Sequence, residues 1–177
     1  MTLEEFLVLA RTRRSIRRFK PEPVDEALVE GVLEAGRWAP SGRNNQPWRF
    51  VVVRPGAILA PYTRYAKVLE QAPVAVAVFI HRPSMYHEVK DHQAVGACVQ
   101  NMLLAAHAAG LGAVWLGEIL ARADEVRERL GVNKEHELMA VVAMGWAAHH
   151  PAEVGRMELD EIIIGRVEED PAEWEDA

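Results

Sequence analysis

A chain of 177 residues is long enough for one domain with a sizeable core and too short for two large ones. Half of the residues are hydrophobic and 26% are charged, a balance that excludes wholesale disorder. Lys and Arg number 20 against 26 Asp and Glu, a net charge of -6 that argues against a polyanion as general partner, and the single Cys98 excludes an intrachain disulfide.

The start, MTLEEFLVLARTRR, sets its acids before its bases and shows no secretory cleavage pattern, so a cytoplasmic protein is expected. Leu3 to Ala10 reads as a helix, with Thr2 as N-cap and Glu4 and Glu5 at its positive end. Arg11, Arg13, Arg14, Arg17, Arg18 and Lys20 then crowd a ten-residue stretch. Pro21 and Pro23 interrupt regular structure, and Asp25 is placed to cap a helix running to about Trp38. Pro40-Ser41-Gly42 opens a polar loop that ends at Pro47, and Trp48 to Val53 has strand composition.

Ile58 to Gln71 reads as short helical pieces around Pro61, and Val74 to Ile80 as a strand buried on both faces. Glu88 to Ala109 has helical periodicity and from Ala94 is apolar nearly all round, so every side should be covered, one of them by a second subunit. Ala113 to Leu116 and Leu138 to Met144 are further strands, with a charged helix from Ala123 to Leu130 between them. Glu161 to Ile164 is the one strand candidate after Gly145, and an acidic tail, 166–177, follows. The expected organisation is one α+β domain over residues 1–165, with helices on both sides of a sheet. The most apolar run, Ala72 to Ile80, is far below the roughly 18 residues a membrane span requires.

Common catalytic signatures are missing: no GxGxxG, P-loop, HExxH or GxSxG occurs. His87 and His92 lie five apart on a predicted helix, which points them about 140° from one another, so no metal site is expected. Two clusters remain. Arg13-Arg14-Ser15-Ile16-Arg17 offers guanidinium forks and a hydroxyl to phosphate oxygens. In an extended backbone, Ser15 and Arg17 would share one side while Ile16 packs inward. The same cluster could be a solvated face or a nucleic-acid contact, the latter opposed by the acidic balance. Pro40 to Trp48 packs amide and hydroxyl side chains between prolines just before a strand, a rigid place to read the heteroatoms of a planar ring.

RRSIRRF, APSGRNNQPWRFVVV, AVGACVQNMLLAAHAAGLGAVWLG, VVAMGW and RMELDEII occur in an order that resembles the flavin-dependent nitroreductase family. The resemblance spans Phe6 to Ile164. It implies an α+β, three-layer α/β/α fold with a mostly antiparallel sheet, in a domain-swapped homodimer with FMN at the subunit interface. Arg13, Arg14 and Ser15 would hold the phosphate and ribityl chain, and Arg17 the flavin N1/O2 edge. Pro40, Ser41, Gly42 and Asn44, supported by Gln46, would come from the partner subunit. Leu116, Gly117 and Glu118 would offer backbone groups near N5 and O4, and Arg156 would reach back to the phosphate. Trp48 and Trp115 would wall the site, which would be open or else covered by Ala57 to Tyr65 and Ser84 to Val89. The implied activity is ping-pong hydride transfer from NADH or NADPH to a small electron-poor acceptor such as a nitroaromatic or quinone, with no obligatory side-chain acid or base. The same motifs would suit a reductive dehalogenase, a desaturating dehydrogenase, a flavin-destroying enzyme, or a non-catalytic flavin sensor or carrier.

Overall fold

The computed structural model describes residues 1–166. Helix α1 (Leu3–Thr12) starts at a reciprocal cap: the Thr2 hydroxyl accepts from the Glu5 amide, and the Glu5 carboxylate accepts from the Thr2 amide. Helix α2 (Glu26–Arg37) follows Asp25, but the Asp25 carboxylate makes no capping bond; only its carbonyl receives the Leu28 and Val29 amides. Strands β1 (Trp48–Val53), β2 (Val74–His81), β3 (Gly112–Leu116) and β4 (His136–Gly145) form one sheet of order β1-β2-β4-β3, antiparallel throughout.

Strand alternation creates the two cores. Val74, Val76, Val78 and Ile80 of β2 face α2 and α4 (Glu88–Ala108), where Val29, Val32, Val95, Cys98, Val99 and Met102 pack. Ala75, Ala77 and Phe79 point the other way, onto Leu59, Val68, Leu69, Ile119 and Val126. Those partners belong to the helical turn Gly56–Tyr62, α3 (Ala66–Gln71), the turn Glu118–Arg122 and α5 (Ala123–Arg129). Burial of each large β2 side chain contributes roughly 1.5–3 kcal/mol relative to exposure. Cys98 lies in the first core, where burial pushes its thiol up to about 12 and keeps it protonated.

Helix α4 is covered within the chain on the sides that meet the sheet and α2, and in part by α1 and the loop before β1. Gln93, Gly96, Ala97, Gln100, Leu104 and Ala108 form a partly open stripe at helical spacing. Glu161–Ile164 is no strand here. Helix α6 (Leu159–Ile162) forms instead, because Glu158 and Glu161 cap each other reciprocally and no sheet edge of this chain pairs with the segment. The acidic tail from residue 167 lies outside the described residues. Among the described residues, no helix is long and apolar enough to cross a membrane.

The arginine segment runs extended beside β3. The Ile16 amide donates to the Ala113 carbonyl at 3.0 Å, Ser15 bridges Ala113 in parallel, and Ile16 is buried while Arg17 is exposed. The close approach requires glycine on β3, since a Cβ on Gly112 would lie 2.7 Å from Ile16 Cβ. Gly112→Ala is therefore expected to lose on the order of 1–3 kcal/mol by overpacking and to displace Arg13–Arg17. A urea midpoint equal to wild type would contradict the contact.

Candidate functional site

Arg13, Arg14, Ser15 and Arg17 line a cleft of 260 Å³ with Pro151, Ala152, Val154 and Arg156. Arg156 thus joins the first cluster although it is far away in sequence. Burial, followed by the charges of Arg156 and Arg14, pulls the Arg13 pKa down. Among the described residues, no carboxylate pairs with Arg13, and the only one near Arg14 is Glu153 at 3.9 Å. Arg14 is turned toward the end of α1, where its Nη1 donates to the Arg11 and Arg13 carbonyls, 2.9 Å to the latter. Like charges gathered with one exposed carboxylate, Glu153, at the edge of the cluster fit an anionic group such as a phosphomonoester.

His107, on α4, stands behind this cleft. The Thr12 hydroxyl gives its one proton to the Val8 carbonyl at 2.7 Å, so His107 Nε2, 2.9 Å from Thr12 Oγ1, is the donor to it. Burial first, then Arg13, His150 and Arg14, depresses the His107 pKa below its ordinary value of 6.5. The neutral ring is the folded form, so its contribution to stability is present above the unfolded pKa and is lost as pH falls through the folded one. The melting temperature of the cofactor-free protein is expected to rise between about pH 5 and 7, and His107→Gln to shrink that rise. An identical rise in the variant would remove His107 from the account.

The second cluster is a short helical turn, Gly42–Asn44, between Ser41 and β1. Arg43, Asn44 and Gln46 have φ of 54°, 54° and 46°, left-handed values that non-glycine residues adopt only when their surroundings impose them. The Ser41 hydroxyl accepts from the Gln46 amide at 3.0 Å, and Gln46 Nε2 donates to the Asn44 carbonyl at 3.1 Å. Pro40, Ser41 and Gly42 border a hollow whose other wall is Lys90, Gln93, Ala94 and Ala97 of α4. The Asn44 side chain is exposed.

These two clusters are not adjacent within one chain. The loop meets α4 near Ala94, whereas the arginine cleft meets it near His107; thirteen residues of helix separate them by about 20 Å. At the third predicted element, Leu116 is buried and Glu118 uses its side chain, not only its backbone. Glu118 Oε2 accepts from the Thr63 hydroxyl at 2.6 Å and the Arg64 amide at 3.2 Å, which pins the predicted cover segment to the turn after β3. Trp115 is partly exposed beside Gly117, while Trp48 is a buried core residue against the α2/α4 layer.

Asn45 and Tyr86 lie in the amide loop and the cover segment named from the sequence without being singled out there, and Asp91 escaped the sequence reading. Asp91 resembled an ordinary first-turn acid, yet it is fully buried. Asn45 Oδ1 is buried without a hydrogen-bond partner among the described residues, an unsatisfied acceptor inside the amide loop. Also among the described residues, no group of three or more His, Cys, Asp or Glu is placed to hold a metal ion.

The antiparallel sheet between helices, with an arginine-bearing segment beside β3 and an amide loop before β1, defines a nitroreductase-like α+β protein. The nitroreductase family model matches residues 10–71 and 59–146. A protein from Desulfovibrio desulfuricans, described as a nitroreductase and solved in complex with FMN, is 46% identical; the likeness covers 95% of this chain and 100% of that one, with a TM-score of 0.88. A protein of Archaeoglobus fulgidus, named for NADH dehydrogenase or NAD(P)H nitroreductase activity, is 34% identical over 150 residues, covering 81% of this chain and 86% of its own. A 5,6-dimethylbenzimidazole synthase of Rhodospirillum rubrum is 30% identical, covering 81% and 82% respectively. The chain belongs to the nitroreductase family.

Proposed function

We propose that this chain is an FMN-dependent oxidoreductase, with residues 1–165 as its FMN-binding domain, which takes electrons from NADH or NADPH and reduces an electron-poor acceptor such as a nitroaromatic or quinone by a ping-pong mechanism. The observation that carries this reading is the cleft where Arg13, Arg14 and Arg156 converge and no carboxylate among the described residues pairs with Arg13. FMN, when bound, supplies a ring that accepts hydride at N5 and later passes it on. Arg13, Arg14, Ser15 and Arg156 bind its phosphate and ribityl end. Arg17 gives fixed positive charge at the N1/O2 edge, where reduction increases negative charge. Leu116, Gly117 and Glu118 orient the N5 side through their backbone, while Glu118 also holds Thr63 and Arg64 as cover against water. No side chain is assigned as general acid or base.

The site needs two copies of the chain. A two-fold axis that lays α4 antiparallel to its twin brings the arginine cleft of one copy beside Pro40, Ser41, Gly42, Asn44 and Gln46 of the other. The open α4 stripe gives that contact small residues for close approach. The exposed Val154, Met157, Leu159, Ile162 and Ile164 give the tail an apolar surface for the neighbouring copy to cover.

The test is anaerobic mixing of the yellow protein with NADH or NADPH. Loss of the oxidised-flavin absorbance supports the reading, and a spectrum unchanged by both donors overturns the donor assignment. Arg17→Ala is expected to lower the flavin midpoint potential by about 30–60 mV, the two-electron equivalent of one lost charge-assisted contact. An unmoved potential would displace Arg17 from the ring edge.

A further inference from the structure

Asp91 is a buried carboxylate that forms no salt bridge among the described residues, in the first turn of a helix that an exposed acid would serve as well. Its partners explain its place. Oδ1 accepts from Asn45 Nδ2 at 2.7 Å, and Oδ2 accepts from the Tyr86 and His87 amides at 2.9 and 2.8 Å. Asn45 Nδ2 donates in addition to the Ser84 carbonyl at 2.9 Å. Three stretches of chain therefore meet at one carboxylate: the amide loop, the segment Ser84–His87 and α4. Burial raises the Asp91 pKa, but the bonds from His87, Asn45 and Tyr86 outweigh it and hold the group ionised.

What this junction holds is the left-handed loop. The Tyr86 ring packs directly against Gly42, where a Cβ would fall 2.1 Å from the tyrosine oxygen. The Arg43 guanidinium and the Lys90 ammonium sit 5.1 and 5.7 Å from the centre of the same ring. Asp91 fixes Tyr86 through its amide and the loop through Asn45, so cover and loop are clamped from both sides. A four-residue stretch with three members, Arg43, Asn44 and Gln46, at positive φ persists only under such constraint.

We propose that Asp91 is a positioning residue which, through Asn45 and Tyr86, locks the loop 41–46 in the geometry that presents it to the cofactor. It touches no reacting atom. The assignment rests on the proposed reading that this loop contacts FMN, and the experiment separates the two.

Wild type, Asp91→Asn, Asn45→Ala and the double variant are prepared free of cofactor. Each is titrated with FMN by fluorescence quenching and followed by hydrogen exchange. Asp91→Asn keeps an oxygen for the Tyr86 and His87 amides but sets an NH2 group against the NH2 of Asn45; Asn45→Ala removes the same bond from the other end without altering a buried charge. Each single variant is expected to weaken FMN binding about tenfold or more. The double variant should lose clearly less than the sum of the two singles, because the Asn45–Asp91 bond is lost only once, while the Asn45 bond to the Ser84 carbonyl is lost with Asn45→Ala alone. Amide exchange should quicken over residues 41–46 while β2 stays protected, a local signature that general destabilisation does not give. Unchanged FMN affinity in both singles overturns the proposal, as does exchange that quickens uniformly in Asn45→Ala. If Asp91→Asn does not fold, Asn45→Ala carries the same two readouts alone. A wild type that ignores FMN, with exchange quickened only in the loop of the variants, supports the lock and overturns the cofactor reading.

Discussion

Arg13→Ala is expected to weaken FMN binding about 10- to 150-fold, corresponding to the loss of about 1.5–3 kcal/mol for a hydrogen bond to a charged group. The cofactor-free protein should respond in the opposite sense. Arg13 is half-buried beside Arg14 and Arg156, and both burial and those charges oppose its protonated form. Truncation removes that repulsion, so the apo melting temperature should hold or rise while affinity falls. Added salt should narrow the affinity gap, because screening weakens the wild-type attraction most. Arg13→Lys should recover only part of the loss, since an ammonium restores charge without the planar fork. Calorimetric titration of FMN into apo-protein, paired with thermal melts, reads both signs. Equal FMN affinity in wild type and Arg13→Ala would remove the cleft from the cofactor site.

The sequence displays those elements whose formation depends on their own pattern. Val74 to Ile80 is apolar at every position, and it became the strand with a core on each side. Ser15-Ile16-Arg17 alternates, and Ile16 packs inward on Gly112. The features that stayed hidden depend on partners distant in the chain. Asp91 has the same identity whether solvated or buried, and only the meeting of Asn45, Tyr86 and His87 distinguishes the two. Trp48 follows the predicted ligand loop directly, but the side of the sheet it faces is set by pairing with Ile80, and that side is core. Glu161–Ile164 has strand composition, yet a strand needs an edge to pair with, and a lone chain lets the Glu158–Glu161 cap win. Acceptor chemistry is hidden for a different reason. In the proposed function the motifs would hold the ring and phosphate, whereas the acceptor would meet the cover segments that carry Thr63, Arg64 and Tyr86. Relatives named for nitroreductase and for 5,6-dimethylbenzimidazole synthase activity differ in reaction while both resemble this chain.

The strongest consequence of the separation along α4 is that defects in the two clusters should complement between subunits. Arg13→Ala disables the cleft, and Asn44→Gly removes the exposed loop side chain while tolerating the left-handed φ of 54°. Each homodimer then carries a defect in both of its sites. In the proposed dimer, where each site takes its cleft from one chain and its loop from the other, a heterodimer of the two variants, isolated through different tags, has one site with both defects and one with neither. It is expected to bind one FMN per dimer with wild-type affinity, and a second only at concentrations about 10-fold or more higher. If cleft and loop of the same chain formed the site, each heterodimer site would keep one defect and no wild-type binding would reappear. The comparison does not depend on the absolute affinity of either variant, since the intact site is measured inside a molecule whose two chains are both defective. Its geometric root is the span of about 20 Å between Ala94 and His107 on a rigid helix, which loop motion in a single chain would have to cross.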